Sequence, residues 1–64
     1  SDLPTAKKEI EALGREYRLE TFKDRKAVLR QSVIEAERKG DEAATVAASS
    51  ELQKIAEEMA KLYN

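Results

Sequence analysis

A chain of 64 residues with no Cys and no His excludes disulfide scaffolds, thiol nucleophiles and the commonest zinc and triad chemistries before any pattern is considered. Its 12 basic and 13 acidic side chains nearly cancel, so a charged fraction of 39% carries a net charge of only −1 and no strong field of one sign. With 41% hydrophobic residues, two Gly and one Pro, the composition is that of amphipathic helices in one small domain, residues 1–64, too short to shape a deep catalytic cleft.

The opening Ser1-Asp2-Leu3-Pro4 lacks the basic-then-apolar order of a signal peptide, and no apolar run approaches the ~18 residues of a membrane span. A soluble, cytoplasmic protein without membrane contact is expected. From about Thr5, Ala6, Ile10, Leu13 and Tyr17 recur at helical spacing, which predicts a first helix over 5–18. Leu19, Phe22, Leu29, Val33 and Ala36 then form a second stripe ending at Lys39, with Lys26 in its one polar slot. From Tyr17 to Leu19 the step is two residues, which swings the apolar face by about 200° on an ideal helix.

Two arrangements satisfy that change of phase. In one, Gly14 weakens the helix and Thr21-Phe22-Lys23-Asp24, similar to a capping box with Asp in the fourth place, restarts it near Phe22. The N-terminal helix then folds back to make a three-helix bundle. In the other, a single long helix runs from about Thr5 to Lys39 and offers its N-terminal stripe to a partner, since Gly inside a helix costs only about 1 kcal/mol relative to Ala.

Gly40-Asp41 is the strongest break in the chain. Gly accepts the left-handed conformation that ends helices, Asp accepts the free N–H groups that begin them, and Arg38, Lys39, Asp41 and Glu42 suit the two helix dipoles. Beyond it, a last helix over 42–63 carries Ala48, Leu52, Ile55, Met59 and Leu62 on one seam. Folding the chain back at the turn sets Ala36 against Thr45, Val33 against Ala48, Leu29 against Leu52, Lys26 against Ile55, Phe22 against Met59 and Leu19 against Leu62. The fold class is therefore all-α, an antiparallel helical hairpin preceded by an N-terminal helical segment. A weaker stripe of Ala27, Ile34, Val46, Ala56, Ala60 and Tyr63 lies off the seam, available to Ile10, Leu13 and Tyr17 of the same chain or of another copy.

No catalytic constellation emerges. Glu35 with Glu37, Asp41 with Glu42, and Glu57 with Glu58 are too close in sequence to converge from a helix, and no loop supplies the six to eight oxygens of a calcium site. Ser32, Ser49 and Ser50 have no base at a recognisable spacing. No enzyme, metal or cofactor is expected. Residues 15–31 hold six basic and three acidic side chains, for +3, against four basic and seven acidic in 32–64, for −3. A basic face near Tyr17 and Phe22 would suit phosphates and bases, but interleaved carboxylates and the seam position of Phe22 disfavour direct nucleic-acid binding.

Ile34-Glu35-Ala36-Glu37-Arg38-Lys39-Gly40-Asp41-Glu42-Ala43-Ala44, followed by Ser50-Glu51-Leu52-Gln53-Lys54-Ile55, resembles the C-terminal helical hairpin of bacterial replicative primases of the DnaG type. The likeness covers roughly Phe22 to Leu62 and leaves the first eighteen residues unmatched. It implies a non-catalytic piece that recruits the hexameric replicative helicase. The anchors expected at such a partner, chosen by anticipated exposure, are Tyr17, Phe22, Ile34, Met59, Leu62 and Tyr63, with Arg15, Arg18, Lys23, Arg25 and Arg30 steering encounter. As plain core fillers, Tyr17, Met59 and Tyr63 would need no partner. A self-associating homo-oligomeric module and a small nucleic-acid-binding domain are the alternatives.

Overall fold

The computed structural model describes residues 3–63, an antiparallel pair of helices packed against each other: α1 (Leu3–Lys39, 37 residues) and α2 (Glu42–Lys61, 20 residues). Ser1 and Asp2 of the opening tetrapeptide lie outside that range, as does Asn64. The molecule is a rod of 57 × 16 × 11 Å, and α1 sets its length.

The link between the helices is built by two residues. Gly40 takes φ 71°, its N–H donates to the Glu37 carbonyl at 3.0 Å, and the Asp41 N–H donates to the Ala36 carbonyl at 2.9 Å. This nested pair of bonds closes a helix around a left-handed residue and satisfies two of its last carbonyls. Asp41 then opens α2: its Oδ1 accepts from the Ala44 N–H at 3.0 Å, and its carbonyl accepts from the Thr45 hydroxyl at 2.8 Å. One residue thus ends the first helix and caps the second, so the turn cannot lengthen without losing a cap.

Burial follows the seam. Leu29, Ala36 and Ala48 are buried, while Leu19, Phe22, Lys26, Val33, Thr45, Leu52, Ile55, Met59 and Leu62 are half-buried. The small residues Ala36, Thr45 and Ala48 sit nearest the turn, and the large ones lie toward the open end. Lys26 occupies its seam position by lying half-buried, the behaviour of a long stem with a charged tip.

Of the two arrangements the sequence allows, α1 follows the single long helix: it runs unbroken from Leu3 to Lys39 through the expected division into helices 5–18 and 19/22–39, and no third helix is present among the described residues. Gly14 sits inside α1 at its modest cost, and Thr21 does not cap a restart. Its hydroxyl instead donates to the Tyr17 carbonyl at 3.0 Å, as the Ser32 hydroxyl does to Val28 at 3.2 Å, bonds made from within a helix. At the other end α2 stops at Lys61 instead of 63, closing with N–H donations from Leu62 to Met59 at 3.0 Å and from Tyr63 to Ala60 at 3.2 Å.

Candidate interaction surface

The unequal lengths of the helices create the surface. With 37 residues against 20, α1 is longer than α2 by about 25 Å at 1.5 Å per residue, and its N-terminal turns project past the end of α2, where Lys61 and Leu62 share a shallow hollow with Gly14, Arg15 and Arg18. On this projection Leu3, Ile10, Leu13 and Tyr17 are all exposed, with Tyr17 at 74% and Ile10 at 69%. They form one stripe, turned away from the face that α2 covers farther along. Ile34 (58% exposed), Val46 (64%) and Tyr63 are further large apolar side chains in water.

An ion pair identifies the two flanks of the hairpin. Arg25 Nη2 lies 3.1 Å from Glu51 Oε2 across the helices, so Arg18 and Arg25 share a flank with Glu51 and Glu58, at steps of seven. The opposite flank carries Lys23 and Arg30 on α1, beside Ser49, Ala56 and Tyr63 on α2. Glu9 and Glu16 continue that second flank onto the projection, next to the apolar stripe. Ser49 and Ala56 are small and exposed there, as are Ala27 and Ala60, with the larger Ile34 and Val46 also exposed.

The expected anchors separate into two groups. Tyr17, Ile34 and Tyr63 are exposed, whereas Phe22, Met59 and Leu62 are half-buried along the seam. The five steering residues are exposed but not gathered: Arg18 and Arg25 point to one flank, Lys23 and Arg30 to the other, and Arg15 lies on the projection beyond α2. Two are already engaged, Arg25 with Glu51 and Lys23 with Glu20 at 3.7 Å. A single basic face is therefore absent among the described residues, which removes the geometric basis for a phosphate-tracking groove. Leu3 and Val28 (55% exposed) are apolar surface residues outside the stripes expected from sequence. Leu3 could have been found, since it precedes Ala6 by three and extends the stripe one step.

The remaining electrostatics are local to helix ends. Arg38 donates to both Glu35 oxygens, at 2.6 and 3.1 Å, and with Lys39 it holds the Glu35 carboxyl below the usual range. Glu58, 2.9 Å from Lys61 Nζ, raises the lysine pKa. Both pairs are open to solvent and stabilise last turns, where cations favour the negative helix end. No group of three or more acidic side chains among the described residues is arranged to hold a metal ion. No helix among them is long and apolar enough to cross a membrane. Comparison with protein-family models, curated proteins and solved structures finds no match.

Proposed function

We propose that the chain is a non-catalytic docking module that buries its projecting α1 stripe beneath another helical surface. The observation that supports this reading is the exposure of Leu3, Ile10, Leu13 and Tyr17 along one face of α1, turned away from the α2 seam. Apolar side chains at that spacing are the anchors of helix-in-groove recognition, and Tyr is enriched at such contacts. Leu29 and the other seam residues hold the hairpin that carries the projection, while the charged flanks keep it in solution.

The likeness to the primase hairpin supports the hexameric replicative helicase as the partner to test, with Tyr17, Ile34 and Tyr63 as the exposed anchors. Binding of the full chain to a purified bacterial replicative helicase is the direct experiment. Tyr17→Ala and Ile10→Asp are expected to weaken it at least tenfold, with helicity by circular dichroism unchanged. Undiminished binding by both variants contradicts docking through the stripe. Self-association is the second reading, favoured by the surface area described next.

A further inference from the structure

The molecule exposes more surface than a compact monomer of its mass, as a two-helix rod must, and that surface is available to a partner. Its accessible area is 5179 Å², whereas a folded monomer of 7.2 kDa exposes about 4,100 Å². The surplus of roughly 1,000 Å² is comparable to the ~800 Å² that each partner contributes to a stable interface. The apolar stripe shows where such an interface lies, and the charges beside it indicate what fills it.

Glu9 and Glu16 are seven residues apart on the flank of the projection, and Lys23 and Arg30 are seven apart on the same flank of the hairpin. Glu9, Glu16 and Arg30 take part in none of the ion pairs found among the described residues. When a second α1 is laid antiparallel along this flank so that facing residue numbers sum to about 39, Glu9 meets Arg30 and Glu16 meets Lys23, each twice by symmetry. The same register sets Ala6 beside Ile34 and Leu13 beside Ala27. Leu3, Ile10 and Tyr17, about 100° farther round α1 than Glu9 and Glu16, border this contact on the side away from the two α2 helices. Residues 3–18 of one copy then run along residues 21–36 of the other, so each projection spans the hairpin it covers, and α2, on the seam face, obstructs neither.

We infer that the surface is occupied by a second copy of this chain, in a two-fold antiparallel pairing of α1 helices that exchanges the N-terminal projections. The inference rests on the reading of the stripe as a docking surface and adds the identity of the occupant. One contact opposes it: Glu20 falls at the symmetry axis and meets its own copy, with Lys23 3.7 Å away to offset the repulsion. That unfavourable contact makes the register testable, because removing it strengthens the pair whereas an unrelated interface would not respond.

Sedimentation of the full chain from micromolar to millimolar concentration is the first measurement, and a monomer–dimer equilibrium is expected. Glu9→Lys with Glu16→Lys raises the dissociation constant at least tenfold, and adding Lys23→Glu with Arg30→Glu restores it. Glu20→Gln lowers it. Because the chain has no cysteine, Glu20→Cys reports the axis directly: on oxidation it forms a covalent dimer about tenfold faster than Val28→Cys, which lies on the other flank. A chain that stays monomeric throughout overturns the pairing, as does a dimer in which Val28→Cys cross-links at least as fast. Either result leaves helicase binding through Tyr17 as a separate question, so failure of the pairing and failure of the docking reading are distinguishable. Circular dichroism of each exposed-site variant confirms that the hairpin persists.

Discussion

Arg25 Nη2 and Glu51 Oε2 meet at 3.1 Å across 26 residues of sequence, the one ion pair among the described residues that joins the two helices. Both side chains are half open to water, where such pairs contribute about 0.2–1 kcal/mol. A double-mutant cycle of Arg25→Ala and Glu51→Ala in urea melts is expected to give a coupling within that range, shrinking in high salt. The pair orients the flanks, but burial along the seam supplies most of the hairpin's stability.

Leu29 is 4% exposed, the most buried side chain described. Leu29→Ala is expected to cost about 2–4 kcal/mol, enough to melt much of so small a hairpin. Leu62→Ala, at a half-buried seam position, lowers the melting temperature by less, and Tyr63→Ala, at a residue 70% exposed, by least. Thermal melts followed by circular dichroism rank the three; a Tyr63 variant as damaged as the Leu29 variant would contradict the seam described here.

The turn gives a pair of predictions with separate causes. A Cβ at Gly40 would meet nothing within 4 Å, so Gly40→Ala is penalised only by its φ of +71°, about 1–2 kcal/mol. Asp41→Ala loses the cap on Ala44 and costs about 0.5–2 kcal/mol. Within α1, Gly14→Ala is expected to stabilise by about 0.5–1 kcal/mol, because its Cβ would lie an ordinary 3.6 Å from Arg18 Nη1. Slower amide exchange across the projection in the Gly14 variant is the corresponding readout.

Acid acts on the end of α1. Because Arg38 and Lys39 depress the Glu35 pKa in the folded chain, their contribution is present above its unfolded pKa and is lost as pH falls through the folded one. Lys61 behaves in the opposite sense: its raised pKa means a contribution present at neutral pH and lost only as strongly alkaline pH passes the folded value. Protection of the amides near Lys39, taken relative to their intrinsic exchange rates, should therefore fall in acid, and Glu35→Gln should remove that dependence.

The hairpin was legible because its information is local. Gly40 and Asp41 mark the turn by residue type, and the steps of three and four from Leu19 to Ala36 and from Thr45 to Leu62 fix the buried faces. The path of the first eighteen residues was not legible, since the phase change at Tyr17–Leu19 has two solutions that differ in tertiary contacts. Helical continuity prevailed because Gly14 is a small penalty and Thr21 can bond back to Tyr17 within the helix. The choice of anchors at Phe22, Met59 and Leu62 was uncertain for a related reason: at the open end of a hairpin the same apolar residue serves seam or partner.

Docking to a partner and pairing of two copies both require α1 to be one rod whose first turns project beyond α2. Spin labels at Lys7→Cys and Glu37→Cys, diluted with unlabelled chain, measure this directly by pulsed electron paramagnetic resonance. A continuous helix places the two backbone sites about 45 Å apart, at 1.5 Å per residue. A single distance population near that value supports a projecting docking helix. A population below about 20 Å would mean that the N-terminal segment folds back onto the hairpin, covers the stripe itself and leaves no surface for a partner.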